Sequence, residues 1–316
     1  MINSVTQAMR DMAMLHYQGT QAIADRKLAN LQRQLGRMTL DQRRWWFGAV
    51  DVQSLSDLDR VKQNTGDHVL ASQEQNPPYG IFESGEVLVT SSGSSGTKKL
   101  FPYSMENWLR YCVNASRCLI SHGVDSTDRV LTCDVGSTQA GYRCIEDAAQ
   151  WICGSQVVID RSVSLSSKLE MIGKHRISVF VSNSKKLLRM IELEPRRYFK
   201  HRLKLLIATG MTLEEKQRIA EAFGVEAVVD MYGTVEIGNQ YFTCSHGHRH
   251  VHEDLFHSVQ RGNESLFSNL QSNLVWNYTI PQEQLIYSDK GKCECGSYLP
   301  TVDHFVPNSA DRSMKG

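Results

Sequence analysis

Between residues 87 and 231, short β-branched runs alternate with amphipathic stretches of helical period, and this alternation restricts the fold more than any other feature. The runs are Val87–Thr90, Arg129–Val135, Gln156–Asp160, Ile177–Ser182, Leu203–Thr209 and Ala227–Met231. Helix signals fill the intervals. Ser104 stands at an expected helix start and Gly123 at its end, Gly154 follows the helix containing Trp151, and Thr212 with Glu215 writes a capping box for a helix that stops at Gly224. Strands joined by helices imply an α/β fold, a largely parallel sheet layered between helices, with ligands beyond the carboxyl ends of its strands.

The flanks differ from this core. Residues 1–76 read as a helical N-terminal segment packed on the core, its clearest helix running from about Thr6 to Gln34, and Pro77 and Pro78 mark a turn that no helix can continue. Residues 77–236 form the α/β core. Residues 237–306, rich in His, Cys and Gly, read as a small β-rich subdomain, and 307–316 follow it.

Composition excludes several classes of function. With 35 Lys plus Arg against 34 Asp plus Glu, the net charge is +1, which lacks the basic excess of a nucleic-acid binder. Met1 to Leu15 carries Arg10 and Asp11 and no continuous apolar stretch, so neither a signal peptide nor a membrane span is expected there, and a cytoplasmic protein without membrane partners is. Eight cysteines in 316 residues suit reduced thiols or metal ligands better than a disulfide framework.

The sharpest chemical signal is Thr90-Ser91-Ser92-Gly93-Ser94-Ser95-Gly96-Thr97-Lys98-Lys99, directly after an apolar strand. Glycines admit an anion close to the backbone, hydroxyls and amides donate to phosphate oxygens, and lysine adds charge. Only two residues separate Gly93 from Gly96, so this is not a Walker loop. A flexible Gly/Ser linker is the competing explanation, and the preceding strand and trailing lysines weigh against it.

The loop resembles the S-S-G-T-T-G-x-P-K phosphate signature of the adenylate-forming superfamily, and Asp230-Met231-Tyr232-Gly233-Thr234-Val235-Glu236 resembles its D-x-Y-G-x-[ST]-E motif. Within that superfamily the chain is similar to the phenylacetate–CoA ligase branch, with its capsule-biosynthesis and acyl-protein synthetase relatives. Gln53-Ser54-Leu55-Ser56-Asp57-Leu58, His250-Val251-His252-Glu253-Asp254 and Cys293-Glu294-Cys295-Gly296-Ser297-Tyr298-Leu299-Pro300 resemble further segments of the branch. The resemblance implies ATP-dependent activation of an aryl or acyl carboxylic acid to its acyl-adenylate. It assigns Lys99, Thr234 and Glu236 to catalysis, with Glu236 holding Mg²⁺, and Ser91, Ser92, Gly93, Ser94, Ser95, Gly96 and Thr97 to the phosphates. Thr209, Gly210, Asp230, Met231, Tyr232 and Gly233 are assigned to the adenine side and Asp289 to the ribose, although Asp289 before Lys290-Gly291 also reads as a turn residue. Gly136, Tyr142, Gly210 and Ile237 are the expected walls of the acid pocket.

Cys244, His250, Cys293 and Cys295 form a donor set suited to tetrahedral zinc, with His246 or His248 as substitutes for His250 and plain buried thiols as the alternative. Two departures qualify the resemblance. Val235 stands where relatives carry a hydroxyl, and the segment after Leu299-Pro300 resembles the hinge to a C-terminal lid domain whose absence is expected here, with 307–316 as the remnant of that hinge. The acceptor is therefore expected to be CoA or a carrier protein, served by a separate lid protein, and a homodimer is compatible with the sequence. Two alternatives remain: a catalytically impaired homologue serving as a nucleotide-binding or scaffold module, and an acyl transferase using Cys112, Cys118, Cys133, Cys144 or Cys153.

Overall fold

A computed structural model describes residues 2–78, 80–82, 85–91, 97–133, 140–159, 162–194, 203–208, 211–231, 233–238, 241–261, 264–270, 275–280, 285–287, 292–299 and 301–304. Among these, the helices in chain order are α1 (Ile2–Met14), α2 (Thr20–Arg37), α3 (Leu40–Phe47), α4 (Leu55–Leu58), α5 (Gly66–Gln75), α6 (Met105–Ser121), α7 (Ala140–Ile152), α8 (Leu165–Lys174), α9 (Ser184–Leu193) and α10 (Leu213–Phe223). The strands are β1 (Val87–Thr90), β2 (Leu100–Tyr103), β3 (Arg129–Thr132), β4 (Ser155–Val158), β5 (Val179–Val181), β6 (Leu205–Ala208), β7 (Ala227–Asp230), β8 (Tyr241–Thr243), β9 (Arg249–Val251), β10 (Phe256–Arg261), β11 (Glu264–Asn269), β12 (Tyr278–Ile280), β13 (Leu285–Tyr287) and β14 (Thr301–His304).

The backbone divides into two compact units, each assembled from separate stretches of chain. The first comprises Met1–Met14, Leu109–Val235 and Asn239–Gly247. Its frame is a five-stranded parallel sheet ordered β4-β3-β5-β6-β7, in which each strand pairs in register with its neighbour. The core is apolar and continuous: Leu131, Phe180, Leu206 and Val228 from the sheet meet Leu169, Ile172, Leu187, Met190, Ile219 and Phe223 from α8, α9 and α10. Thr212 accepts from the Glu215 N–H while the Glu215 side chain returns the bond, and Gly224 ends α10 in the left-handed conformation at φ 58°. At Gly154, between α7 and β4, a Cβ would lie 2.0 Å from the Ser126 carbonyl oxygen, so only glycine fits that crossover.

The second unit comprises Leu15–Trp108, Glu236–Gly238 and His248–Gly316. Helices α2 to α5 belong to it. So do the antiparallel pair β1-β2, the meander β10-β11-β12 and the antiparallel strands β13, β14 and β9. Trp46, Phe82 and Phe101 pack ring against ring, and Trp276 meets Phe47 edge-on. Among the described residues no helix is long and apolar enough to cross a membrane.

Two expectations need correction. The helix expected from Thr6 to Gln34 is two helices, because Gly19 adopts φ 120° between them. Val87–Thr90 forms the expected strand but not in the parallel sheet: it pairs antiparallel with β2, and the Ser/Gly loop is therefore the connection of a hairpin.

Candidate functional site

In the second unit the hairpin β1-β2 fixes one half of the site. The Ser91 N–H donates to the Lys99 carbonyl at 3.0 Å and the Lys99 N–H donates to Ser91 Oγ at 2.9 Å, so the two ends of the loop are clamped together. Gln73 of α5 grips the next residue, accepting from the Leu100 N–H at 3.2 Å and donating to the Leu100 carbonyl. Lys99 is therefore anchored through its backbone on both sides.

The other half is the turn carrying Glu236 and Ile237. Ile237 is fully buried and its carbonyl accepts from Asn269 Nδ2 at 3.0 Å, which holds the turn against β11. Lys99 Nζ and Glu236 Oε1 meet at 2.6 Å, with side-chain exposures of 12% and 5%. Two residues from motifs far apart in the chain thus form a nearly buried ion pair. Such a pair is held by mutual charge, and removing either member would leave the other uncompensated. Tyr278 of β12 donates its hydroxyl to Glu236; burial first, and then the Glu236 carboxylate, push its phenol well above the usual range. Gly66, the first residue of α5, closes the group: a Cβ there would lie 2.7 Å from Lys99 Nζ, 3.6 Å from the Tyr278 hydroxyl and 3.8 Å from Glu236 Oε1.

Tyr278 and Gly66 carry no sequence motif. Tyr278 sits in the apolar and aromatic run Val275-Trp276-Asn277-Tyr278-Thr279-Ile280, which reads as a packed strand, and Thr65-Gly66-Asp67 reads as an ordinary helix start; a parallel bridge between Asn64 and Tyr278 brings them together.

In the first unit, Asp230 ends β7 opposite Ala208, and the Met231 N–H donates to the Ala208 carbonyl at 2.9 Å. Met231 is buried and Gly233 is exposed. Thr234 Oγ1 is buried and has no hydrogen-bond partner among the described residues. Tyr142 lies half-buried on α7. Ser92, Gly93, Ser94, Ser95, Gly96, Gly136, Thr209, Gly210, Tyr232 and Asp289 lie outside the described residues.

A second cluster lies in the second unit. The ligand atoms of His250, Cys293 and Cys295 lie within 4.8 Å of one another, and His250 Nε2 is 3.5 Å from Cys295 Sγ. The opposite ring nitrogen, Nδ1, bonds to the Leu299 carbonyl at 2.9 Å, which fixes Nε2 as the nitrogen facing the sulfurs. Burial keeps the His250 pKa below the ordinary imidazole value, which favours the neutral ring that ligation requires. Gly296, at φ 89°, donates its N–H to the Cys293 carbonyl at 2.7 Å in a tight turn. Two thiols and an imidazole are donors that could hold a metal ion. His248 Nδ1 stands 3.2 Å from Cys293 Sγ at the exposed side. In the first unit, Cys244 begins a turn of the same form, with the Gly247 N–H bonded to its carbonyl at 2.9 Å.

Cys112, Cys118, Cys133 and Cys144 are buried; burial raises Cys112 well above the usual thiol range, and pushes Cys118 and the half-buried Cys153 up to about 12.

The backbone is similar to 2-hydroxyisobutyryl-CoA ligase in an open conformation with 2-HIB-AMP and CoA. The TM-score is 0.71 at 17% identity, over 89% of this chain and 73% of that one. The chain shares that ligase's fold. The same ligase in its thioesterification state gives a TM-score of 0.72 at 16% identity, covering 66% of its length. ATP-bound MatB from Rhodopseudomonas palustris aligns over 64% of this chain and 43% of its own, at 14% identity and a TM-score of 0.48. No family model and no curated protein matches the sequence. The likeness is thus one of backbone fold at low sequence identity.

Proposed function

We propose that the protein activates a carboxylic acid with ATP: a substrate carboxylate oxygen bonds to the α-phosphorus as the bond to pyrophosphate breaks, giving an acyl-adenylate. The buried pairing of Lys99 with Glu236 carries this reading. A nucleotide's phosphates would draw the Lys99 ammonium off the pair to neutralise the departing pyrophosphate. A nearly buried carboxylate deprived of its ammonium demands another cation, and Glu236 as an oxygen donor would suit Mg²⁺, which would supply positive charge against the phosphates. Thr234, whose hydroxyl lacks a partner among the described residues, is assigned to the α-phosphate in place of the hydroxyl that Val235 lacks. Asp230, Met231, Tyr232 and Gly233, with Thr209 and Gly210, are assigned to adenine, Asp289 to ribose, and Ser91 to Thr97 to the phosphates. Ser91 acts there through its clamp on Lys99. Gly136, Tyr142, Gly210 and Ile237 are assigned to the acid pocket, and CoA or a carrier-protein thiol is the proposed acceptor.

Acid-dependent exchange of labelled pyrophosphate into ATP tests the reading. A panel of aryl and aliphatic acids should include at least one that supports exchange, and Glu236→Ala should lower the rate at least ~100-fold, the scale of losing a transition-state charge contact. Absence of exchange with every acid would overturn catalysis. Val235 favours a second reading, a nucleotide-binding module without turnover; ATP binding that Glu236→Ala abolishes, together with no exchange, would select it.

Cys244 is proposed as the fourth ligand of a zinc ion held with His250, Cys293 and Cys295. Mass spectrometry of metal content should find close to one zinc per chain, and Cys295→Ser should lose it. Full metal content in Cys295→Ser would exclude the assignment.

A further inference from the structure

Glu236 has two partners of opposite character. Lys99 is charged and sits at the end of a long flexible side chain, whereas Tyr278 is neutral and its backbone is locked. The Asn64 N–H donates to the Asn277 carbonyl and the Thr279 N–H to the Asn64 carbonyl, both at 2.9 Å, so Tyr278 is gripped by its two neighbours. Asn64 Nδ2 donates to the Trp276 carbonyl at 2.7 Å, and Asn277 Nδ2 to the Leu58 carbonyl at 2.6 Å and the Val61 carbonyl at 3.1 Å. Asn277 Oδ1 accepts from Ser268 Oγ at 2.6 Å, and Phe267 pairs with Tyr278 across the β11-β12 ladder. Asn64, Ser268 and Asn277 are fully buried. The phenol cannot follow a ligand; the ammonium can.

We propose that Tyr278 is a positioning residue: its hydroxyl holds the Glu236 carboxylate in place once Lys99 has moved to the nucleotide, and thereby sets the affinity of the site for a divalent cation bound together with nucleotide. The inference rests on the proposed nucleotide reading of the same site. A buried carboxylate accepting one fixed hydrogen bond keeps one lone-pair direction occupied and presents the others to a cation, which is how outer partners orient metal-binding carboxylates. Without the phenol, Glu236 loses a fixed partner, and the divalent ion must order it on binding. Lys99 does not perform this duty, because the same phosphates that bring the cation also attract the ammonium.

The test is calorimetry of ATP binding to the full chain at a series of MgCl₂ concentrations. In Tyr278→Phe the Mg²⁺ concentration for half-maximal enhancement of ATP binding should rise about tenfold, in the range seen when an outer partner of a metal ligand is lost. ATP affinity in EDTA should stay within about twofold. In a Glu236→Gln background, adding Tyr278→Phe should change nothing, because the two substitutions act through one contact. Equal losses with and without Mg²⁺, or no shift at all, would overturn the inference while leaving the nucleotide reading intact. A wild-type chain that binds no ATP would instead remove that reading, and this inference with it. Should Tyr278→Phe fail to fold, the double variant decides: a folded Tyr278→Phe/Glu236→Gln supports a phenol serving Glu236, and an unfolded one shows Tyr278 to be a packing residue and sinks the proposal.

Discussion

At the scale of single residues, Gly66 makes the sharpest prediction, because two effects of one methyl group point in opposite directions. Alanine is the better helix former at the first residue of α5, so Gly66→Ala should leave the melting temperature unchanged or slightly raised. Its Cβ would lie 2.7 Å from Lys99 Nζ, the movable end of a flexible side chain, but at ordinary contact distance from Tyr278 and Glu236. Lys99 must shift, and ATP affinity should fall about tenfold or more, a loss of ~1.4 kcal/mol. A stable variant with undiminished ATP binding would show that the position of Lys99 is immaterial. The sequence announces Lys99 and Glu236 through their motifs, but it gives no sign of Gly66 or Tyr278, whose contacts exist only through a bridge between distant segments. The reverse holds for the segment from Gln53 to Leu58. Its motif residue Asp57 accepts from the Ser54 hydroxyl and from the Ser54 and Gln53 N–H groups, and these bonds, the Ser54 hydroxyl foremost, hold its carboxyl far below the usual range. The motif here encodes a helix start.

Among elements, periodicity located five strands of the parallel sheet to within a residue or two at their starts, because buried parallel strands are short apolar runs bounded by turn signals. Strand β2 escaped the same reading, since Leu100-Phe101-Pro102-Tyr103 holds a proline that cannot donate to a ladder. Pro102 is tolerated in this two-stranded pair, opposite Leu88. The two glycines that end elements should separate cleanly on mutation. Gly224→Ala places alanine at φ 58° with nothing within 4 Å, so it should cost about 1 kcal/mol, the price of left-handed backbone alone. Gly154→Ala drives a Cβ to 2.0 Å from the Ser126 carbonyl oxygen, where the backbone itself must move. Urea denaturation should therefore rank Gly154→Ala well below Gly224→Ala in midpoint, and the reverse order would contradict the crossover geometry.

For the whole molecule, two units built from interleaved stretches are invisible to local pattern, because the boundaries at residues 14, 108 and 235 fall inside or beside regular elements and carry no linker composition. Both units contribute to one pH response. Burial lowers His122 in the first unit and His257 in the second, the latter despite its contact of 3.0 Å with Asp59. Between the ordinary imidazole value of 6.5 and these depressed values, the unfolded chain binds protons that the folded chain refuses. Stability should therefore fall as pH drops below about 6.5, by no more than ~1.4 kcal/mol per pH unit for each histidine. The buried thiols act on the other side. Burial raises Cys112, Cys118 and Cys153 above their ordinary value of 9.0, so the unfolded chain loses protons that the folded chain keeps, and stability should fall again above about pH 9. Urea midpoints from pH 5 to 10 should trace a maximum between these limits, and His257→Gln should flatten the acid limb. A midpoint that rises on acidification from pH 7 to 5 would mean that these imidazoles gain protons on folding, contrary to their burial.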